Sequence, residues 1–403
     1  MKILILTHRV PFPQNGGYPI VVGNTIRGLV NKGHKVSLVS LNDQKQNGKI
    51  VATDPLLEKI NYRSYQIDTS ISLLYATINL VTKQSANINR YYDGAFERLL
   101  IAEVRNTDYD IIQFEGLFVA PYLEAIHRNS KAKLIYRAHN IEHQVWERLA
   151  AQKHDPIKRF FIKLIARRIK NYELHNLNSF DAIAAFTQQD KKTMEDYGSK
   201  AKIEVIPVGI DMEHYKPEPE KTEFPSLFFL GSLNWMPNRE GIEWFLENFH
   251  ADLSNGTIRA RFYVAGNDIP EQFDEYDVMD KIFIQGEVDD ALEFVNSKAI
   301  MIVPLLSGGG MRVKIVEGMA MQKCIISTTL GAEGINYHNG ENILIADTRE
   351  EFFNAIQRCI ADEEFCKTIG LNARRMIERE HDINALTTRL VMFYKQVLGK
   401  KVD

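Results

Sequence analysis

The run Ser307-Gly308-Gly309-Gly310-Met311-Arg312-Val313-Lys314-Ile315-Val316-Glu317-Gly318-Met319-Ala320 puts glycines, two cations and a carboxylate into one short stretch. It follows an apolar, strand-like segment, Ala299–Leu305, and should open a helix. A glycine-rich turn between strand and helix presents backbone N–H groups and the positive end of a helix dipole, which suits a phosphate. Arg312 and Lys314, expected in the first helical turn, can neutralise a diphosphate, the arginine bidentately. Glu317, one turn on, can accept two hydroxyl hydrogen bonds from a ribose. The set matches both ends of a nucleotide. Read alone, the same glycines also fit an ordinary turn with solvated charges.

Other segments carry compatible chemistry. The loop Pro11-Phe12-Pro13-Gln14-Asn15-Gly16-Gly17-Tyr18-Pro19 allows close backbone approach at Gly16 and Gly17, with Pro19 placed to start a helix. It forms an anion cradle or a plain loop, and lacks the GxGxxG spacing of a dinucleotide site. In Ala138-His139-Asn140-Ile141-Glu142-His143, His139 stands at a strand end, where it can bond a ligand or move protons. A metal site from His139 and His143 lacks HExxH order and a clear third ligand; a structural histidine is the other reading. Ser232 lies in Gly231-Ser232-Leu233-Asn234-Trp235-Met236-Pro237-Asn238, where Pro237 begins a helix. Gly286, Glu287 and Val288 offer backbone groups to a base, and Thr328–Ile335 forms a further rim.

These loops need elements to hold them. Strand-like runs fall at Lys2–Thr7, Lys35–Leu41, Tyr62–Ile67, Ile111–Phe114, Lys133–His139, Ala182–Thr187 and Ile203–Pro207, with helical runs such as Ile20–Asn31 and Arg167–Asn176 between them. A second series runs through Leu227–Leu230, Arg261–Ala265, Lys281–Gln285, Ala299–Leu305, Cys324–Ser327 and Asn342–Ala346. Short apolar strands separated by crossover helices predict α/β architecture, with two Rossmann-like doubly wound parallel-sheet domains facing across a cleft. Ligands then bind beyond the carboxyl ends of the strands. The expected divisions are an N-terminal domain at 1–215, a proline-rich linker at 216–225, a C-terminal domain at 226–380 and a terminal segment at 381–403. Glu378–Gly399 reads as one final helix.

Composition narrows the function. At 403 residues, 45% hydrophobic and 25% charged, the chain has ample core for two domains. A net charge of -3 argues against nucleic-acid binding driven by global charge. Three cysteines without CxxC spacing make no disulfide framework or zinc motif. Met1–Thr7 reads as a buried strand too short for a secretory apolar region, and a cytoplasmic location is expected.

Taken in order, these motifs resemble the retaining glycosyltransferases of family 4, which have the GT-B fold. The resemblance rests on Gly16-Gly17, Lys32-Gly33-His34-Lys35-Val36, His139, Val205-Ile206-Pro207-Val208-Gly209-Ile210-Asp211 and Glu317-Gly318-Met319-Ala320. It implies sugar transfer from a UDP- or GDP-linked donor to a hydroxyl with anomeric retention, and neither a metal nor another cofactor. Glu317 would hold the donor ribose and His139 would contact the sugar. Gly17 would approach the diphosphate, and Gly286 to Val288 would frame the base.

Three positions depart from the family pattern. Gly309 stands where the first glutamate of Glu-x7-Glu is expected, so backbone N–H groups of Gly309 and Gly310 would replace that side chain, beside Met311. Gly231-Ser232-Leu233 replaces the usual Gly-Arg-Leu, and the following lysine is absent near Pro237. Arg312 and Lys314 are expected to supply the missing charge equally.

The acceptor, a glycan or lipid-linked glycan, should dock mainly on the N-terminal domain. There the segment 153–170 carries Lys158, Arg159, Lys163, Arg167 and Lys170 with an apolar face of Ile157, Phe161, Leu164 and Ile165. It reads either as a peripheral membrane contact or as a core helix with a solvated basic side. A non-catalytic sugar-nucleotide-binding subunit is the alternative function, kept open by Gly309; a nucleotide-sugar epimerase fits the motif order less well.

Overall fold

A computed structural model describes residues 1–14, 16–43, 54–70, 85–152 and 155–400. Asn15 of the first glycine loop, and Lys153 and His154 at the head of the basic segment, lie outside the described residues. The chain divides into two units, Met1–Gly209 with Ile383–Asp403, and Ile210–Asp382.

The first unit is built on a seven-stranded sheet: β1 (Lys2–Thr7), β2 (Lys35–Asp43), β3 (Asn61–Ile67), β4 (Ile111–Glu115), β5 (Lys133–Ala138), β6 (Ala182–Ala185) and β7 (Lys202–Val205). The order is β3-β2-β1-β4-β5-β6-β7, parallel throughout. Both faces are covered, so the central strands read as continuous apolar runs rather than alternating ones. Leu4, Leu6, Ile112 and Phe114 face one core; Ile3, Ile5, Ile111 and Ile135 face the other. The helix Gly17–Asn31 closes the second face with Val22, Ile26 and Leu29, and the helix Ile383–Val397 adds Leu390, Phe393 and Tyr394. Strand order reverses between β1 and β4, the place where such sheets hold ligands.

The second unit repeats the plan with β8 (Glu223–Leu230), β9 (Arg261–Ala265), β10 (Ile282–Gly286), β11 (Lys298–Val303), β12 (Cys324–Ser327) and β13 (Leu344–Ile345), in the order β10-β9-β8-β11-β12-β13, again parallel. Its reversal lies between β8 and β11. The loops leaving those strands are Gly231–Asn238 and the glycine run after Leu305. The cysteines Cys324, Cys359 and Cys366 converge in this core with sulfur atoms within 4.8 Å.

Three boundaries differ from expectation. The division falls after Gly209, not 215, because Ile210 bridges Asp382 and its N–H donates to the His381 carbonyl at 2.7 Å. The expected linker 216–225 is partly structure: Pro219–Lys221 forms a 3₁₀ turn and β8 already begins at Glu223. Pro225 is tolerated in this central strand because its pairing with β11 slips there, between Lys298↔Glu223 and Ile300↔Leu227. The expected single helix Glu378–Gly399 is two, Glu363–Glu380 and Ile383–Val397, broken where His381 and Asp382 meet Ile210.

One glycine sets the position of the loop after β11. Gly241, in the helix Met236–Ser254, lies so close to β11's exit that a Cβ would meet the Pro304 carbonyl oxygen at 2.5 Å. Gly241→Ala is expected to destabilise the protein by about 1–3 kcal/mol through overpacking, read by chemical denaturation. An unchanged midpoint would mean that the helix shifts freely.

Candidate functional site

In the second unit the helix Val313–Ala320 starts directly after the glycine run, with Arg312 as its N-cap residue rather than in its first turn. Gly308 and Gly310 have φ of 102° and 76°, which side-chain-bearing residues rarely adopt. Lys314 points back to the loop after β8: its Nζ donates to Asn238 Oδ1 at 2.8 Å and sits 4.1 Å from the centre of the Phe229 ring. Gly231 makes room for it, since a Cβ there would lie 2.6 Å from Nζ. Burial, reinforced by nearby Arg312 and opposed by Glu317, lowers the lysine to about 7.

Glu317 lies one turn along the same helix. Burial raises it to about 7, against a hydrogen bond from the Tyr215 hydroxyl at 2.5 Å and the charge of Lys314. Both side chains keep some solvent-accessible surface although protein surrounds them. Arg374 fixes Tyr215 by donating to its carbonyl at 2.8 Å and to that of Ala320 at 2.5 Å.

Arg312 is placed differently from Lys314. It is 5% exposed, bonds the carbonyl of Gly309 and lies 5.4 Å from the Trp235 ring. Its guanidinium thus braces the glycine run against the β8 loop, whereas the Lys314 ammonium reaches the β8 exit itself. Ser232 bonds Asp268 at 3.2 Å at that exit. Gly286 ends β10 with φ 71°, followed by exposed Glu287 and half-buried Val288; its carbonyl accepts from Gly266 N at 2.8 Å. Gly309, Gly310 and Met311 are half-buried beside Arg312.

In the first unit, Gly16 has φ 127° and caps the helix that Gly17 begins. His139 follows β5, and its Nε2 is 2.7 Å from the fully buried Glu115 carboxylate at the end of β4. Gln113 bonds the other Glu115 oxygen and in turn accepts from Tyr394 in the helix Ile383–Val397. Tyr18 lies over His139 with ring centres 4.9 Å apart and donates to the Glu115 carbonyl at 3.2 Å. The His8 ring packs tilted against Tyr18 at 4.4 Å; burial and Arg9 hold it neutral, near 3. Glu115 therefore fixes the His139 ring through Nε2. His143 is committed elsewhere, to Glu173 at 2.5 Å and Tyr197 at 3.1 Å.

The fold sets Glu115 and Tyr18 against His139, Asn238 against Lys314 and Tyr215 against Glu317, four partners that sequence reasoning did not single out. A glutamate ending a central apolar strand was the available signal for Glu115. Tyr215 gave none, because its partner is distant in sequence.

Two parallel, doubly wound sheets, each with polar side chains gathered at its switch point, define the GT-B class. The solved structures agree. A sucrose-phosphate synthase from Thermosynechococcus elongatus aligns over 99% of this chain and 100% of its own, with a TM-score of 0.72 and 16% identity. Anabaena HepE in complex with UDP-glucose aligns over 98% and 100%, with a TM-score of 0.65 and 16% identity. Residues 15–214 match the model described as Glycosyltransferase Family 4, and residues 224–362 match that of Glycosyl transferases group 1. The two matches together span most of the chain, which is a glycosyltransferase of the GT-B fold, its N-terminal part resembling family 4. An uncharacterized 44.6 kDa protein in the cps region of Klebsiella pneumoniae is 23% identical over 94% of this chain and 96% of its own length. The capsular polysaccharide biosynthesis glycosyltransferase CapM of Staphylococcus aureus is 21% identical over 52% of this chain and 57% of its own.

Proposed function

We propose that the protein moves a sugar from a UDP- or GDP-linked donor to a hydroxyl of a glycan or lipid-linked glycan in polysaccharide assembly, with retention and without a metal. The observation that carries this reading is Lys314 seated at the β8 exit, beside Gly231 and Asn238, one helical turn from Glu317. A cation and a ribose acceptor at a switch point fit a nucleoside diphosphate. The kinship with a capsular glycosyltransferase, and with a protein solved with UDP-glucose, supports the donor and product classes.

In this reading the bond from the anomeric carbon to the diphosphate oxygen breaks as the acceptor oxygen bonds that carbon. The acceptor proton passes to the leaving diphosphate. Lys314 stabilises the charge developing there, with Arg312 holding the loop and adding positive potential. Glu317 accepts from the ribose hydroxyls, and the backbone of Gly309–Gly310 lines the phosphate and sugar. Ser232 and Gly286–Val288 flank the nucleotide. His139 orients the sugar. A cytoplasmic location fits such donors; among the described residues no helix is long and apolar enough to cross a membrane.

Incubation with candidate nucleotide sugars and acceptors, with NMR of the product anomer, tests the reading. Net inversion would overturn retention, and loss of turnover in EDTA would overturn metal independence. Gly309 keeps one rival in play, a binding subunit without turnover; that rival wins if nucleotide binds but is never released from its sugar. Glu115→Gln, which loosens His139, should lower kcat by about 10–100-fold with little change in donor KM. Unchanged kcat would remove Glu115 from the mechanism.

A further inference from the structure

The helix Pro156–Asn176 is only partly embedded in its unit. Ala166, Ile169 and Glu173 are buried, and Ile165, Tyr172 and Leu174 pack on the core. Its first turns, by contrast, leave one side to solvent. There Ile157, Phe160 and Phe161 are 67%, 65% and 44% exposed, large apolar side chains at i, i+3 and i+4 on one helix face. The two phenylalanine rings pack edge to face at 5.8 Å, forming one apolar ridge. Lys158, Arg159, Lys163 and Arg167 are exposed around it. From Pro156 to Lys170 there are six cations and no carboxylate, in a chain whose net charge is -3.

We propose that this ridge docks the enzyme on an anionic lipid bilayer, with Ile157, Phe160 and Phe161 entering the interface and the surrounding cations meeting lipid phosphates. Water does not favour an aromatic ridge, and a basic collar around one is the pattern of interfacial helices. Charge decides between occupants. A second copy seated on the same face would bring two cationic patches together without an acid between them, whereas an anionic membrane complements them. Each Lys or Arg near such a surface strengthens binding about fivefold.

The ridge also sits on the appropriate side of its own sheet. Glu173, farther along this helix, accepts from the backbone N–H of Glu142 at 3.0 Å and of His143 at 3.3 Å, just after His139. Phe160 precedes Glu173 by about three and a half turns, so the ridge lies roughly 20 Å along the helix from that anchor, at about 1.5 Å per residue. A lipid-borne acceptor would thus be delivered to the edge that carries His139. This last point rests on the transferase reading; the docking itself does not.

Co-sedimentation of the full chain with vesicles of phosphatidylcholine alone, or mixed with phosphatidylglycerol, tests it. The chain should bind the mixed vesicles, lose binding in high salt as charges are screened, and ignore the neutral ones. Phe160→Ser with Phe161→Ser, and separately Lys158→Glu with Arg159→Glu, should each weaken binding by at least about tenfold. Absence of binding at low salt, or binding that neither pair alters, would overturn the proposal. So would light scattering that shows a dimer split by the phenylalanine pair. Release of nucleotide from a soluble donor, measured on the same preparations without vesicles, should persist in both variants. If that release is absent throughout while vesicles still bind, the transferase reading has failed and the docking stands.

Discussion

Lys314→Met is expected to lower kcat/KM for the nucleotide-sugar donor by about 100–1,000-fold while the fold survives, the scale typical of losing one positive group at a developing anion. Methionine matches the lysine stem in length and packs against Phe229, so the change isolates the charge. Burial and Arg312 bring the ammonium down to about 7 in the empty protein, and a bound diphosphate would restore its proton. Donor affinity should therefore decline as pH rises above about 7, and that alkaline limb should vanish in Lys314→Met. Stability moves the other way. Between about 7 and the ordinary lysine value of 10.5 the unfolded chain carries the extra proton, so this group's contribution grows as pH rises. A methionine variant with near-normal kcat/KM would dismiss Lys314 as the diphosphate cation and move attention to Arg312. Arg312→Ala should also impair turnover, with a loosened glycine loop as part of the cause.

Glu317→Gln should raise the dissociation constant for nucleotide and donor by about 10–100-fold, since hydrogen bonds to a charged partner contribute about 1.5–3 kcal/mol. The specific readout is discrimination. Wild-type protein should prefer the ribonucleotide to its 2′-deoxy analogue, and the variant should lose most of that preference, a coupling that a general loss of structure does not produce. Glu317 holds its proton to about pH 7, so affinity should rise toward pH 7 from the acid side and this limb should disappear in the glutamine variant. Together with the lysine limb it gives a bell centred near 7, with apparent values that belong to the pair. For stability, the folded chain carries the extra proton between the ordinary carboxylate value of 4.5 and about 7, so Glu317's contribution declines as pH rises through that window. Equal affinity of the wild type for ribo- and deoxynucleotide would sink the ribose assignment.

The plan of two parallel sheets was legible because buried parallel strands are short apolar runs, and both series announce themselves. The motif residues could be read because they occupy strand exits. Side-chain direction could not. Arg312 and Lys314 looked equivalent two positions apart, yet a helix begins between them: one braces its own loop and the other reaches across to Gly231. Glu115 and Tyr215 stayed hidden for a related reason, since what matters about each is a partner that only the fold supplies. The linker reading failed at Pro225 because proline marked a slip in strand pairing rather than a break in the sheet.

The helix Ile383–Val397 closes one face of the first sheet, and Tyr394 completes the buried row that ends at His139. On the ribosome those residues emerge only after all of Ile210–Asp382 has been made. At about 5–20 residues per second, the N-terminal sheet must wait on the order of ten seconds or more with one apolar face only partly covered, by the helix Gly17–Asn31. The second unit, continuous in sequence, has no such delay. The half that begins synthesis first is therefore the half that matures last, and it is the one for which a nascent-chain chaperone would matter.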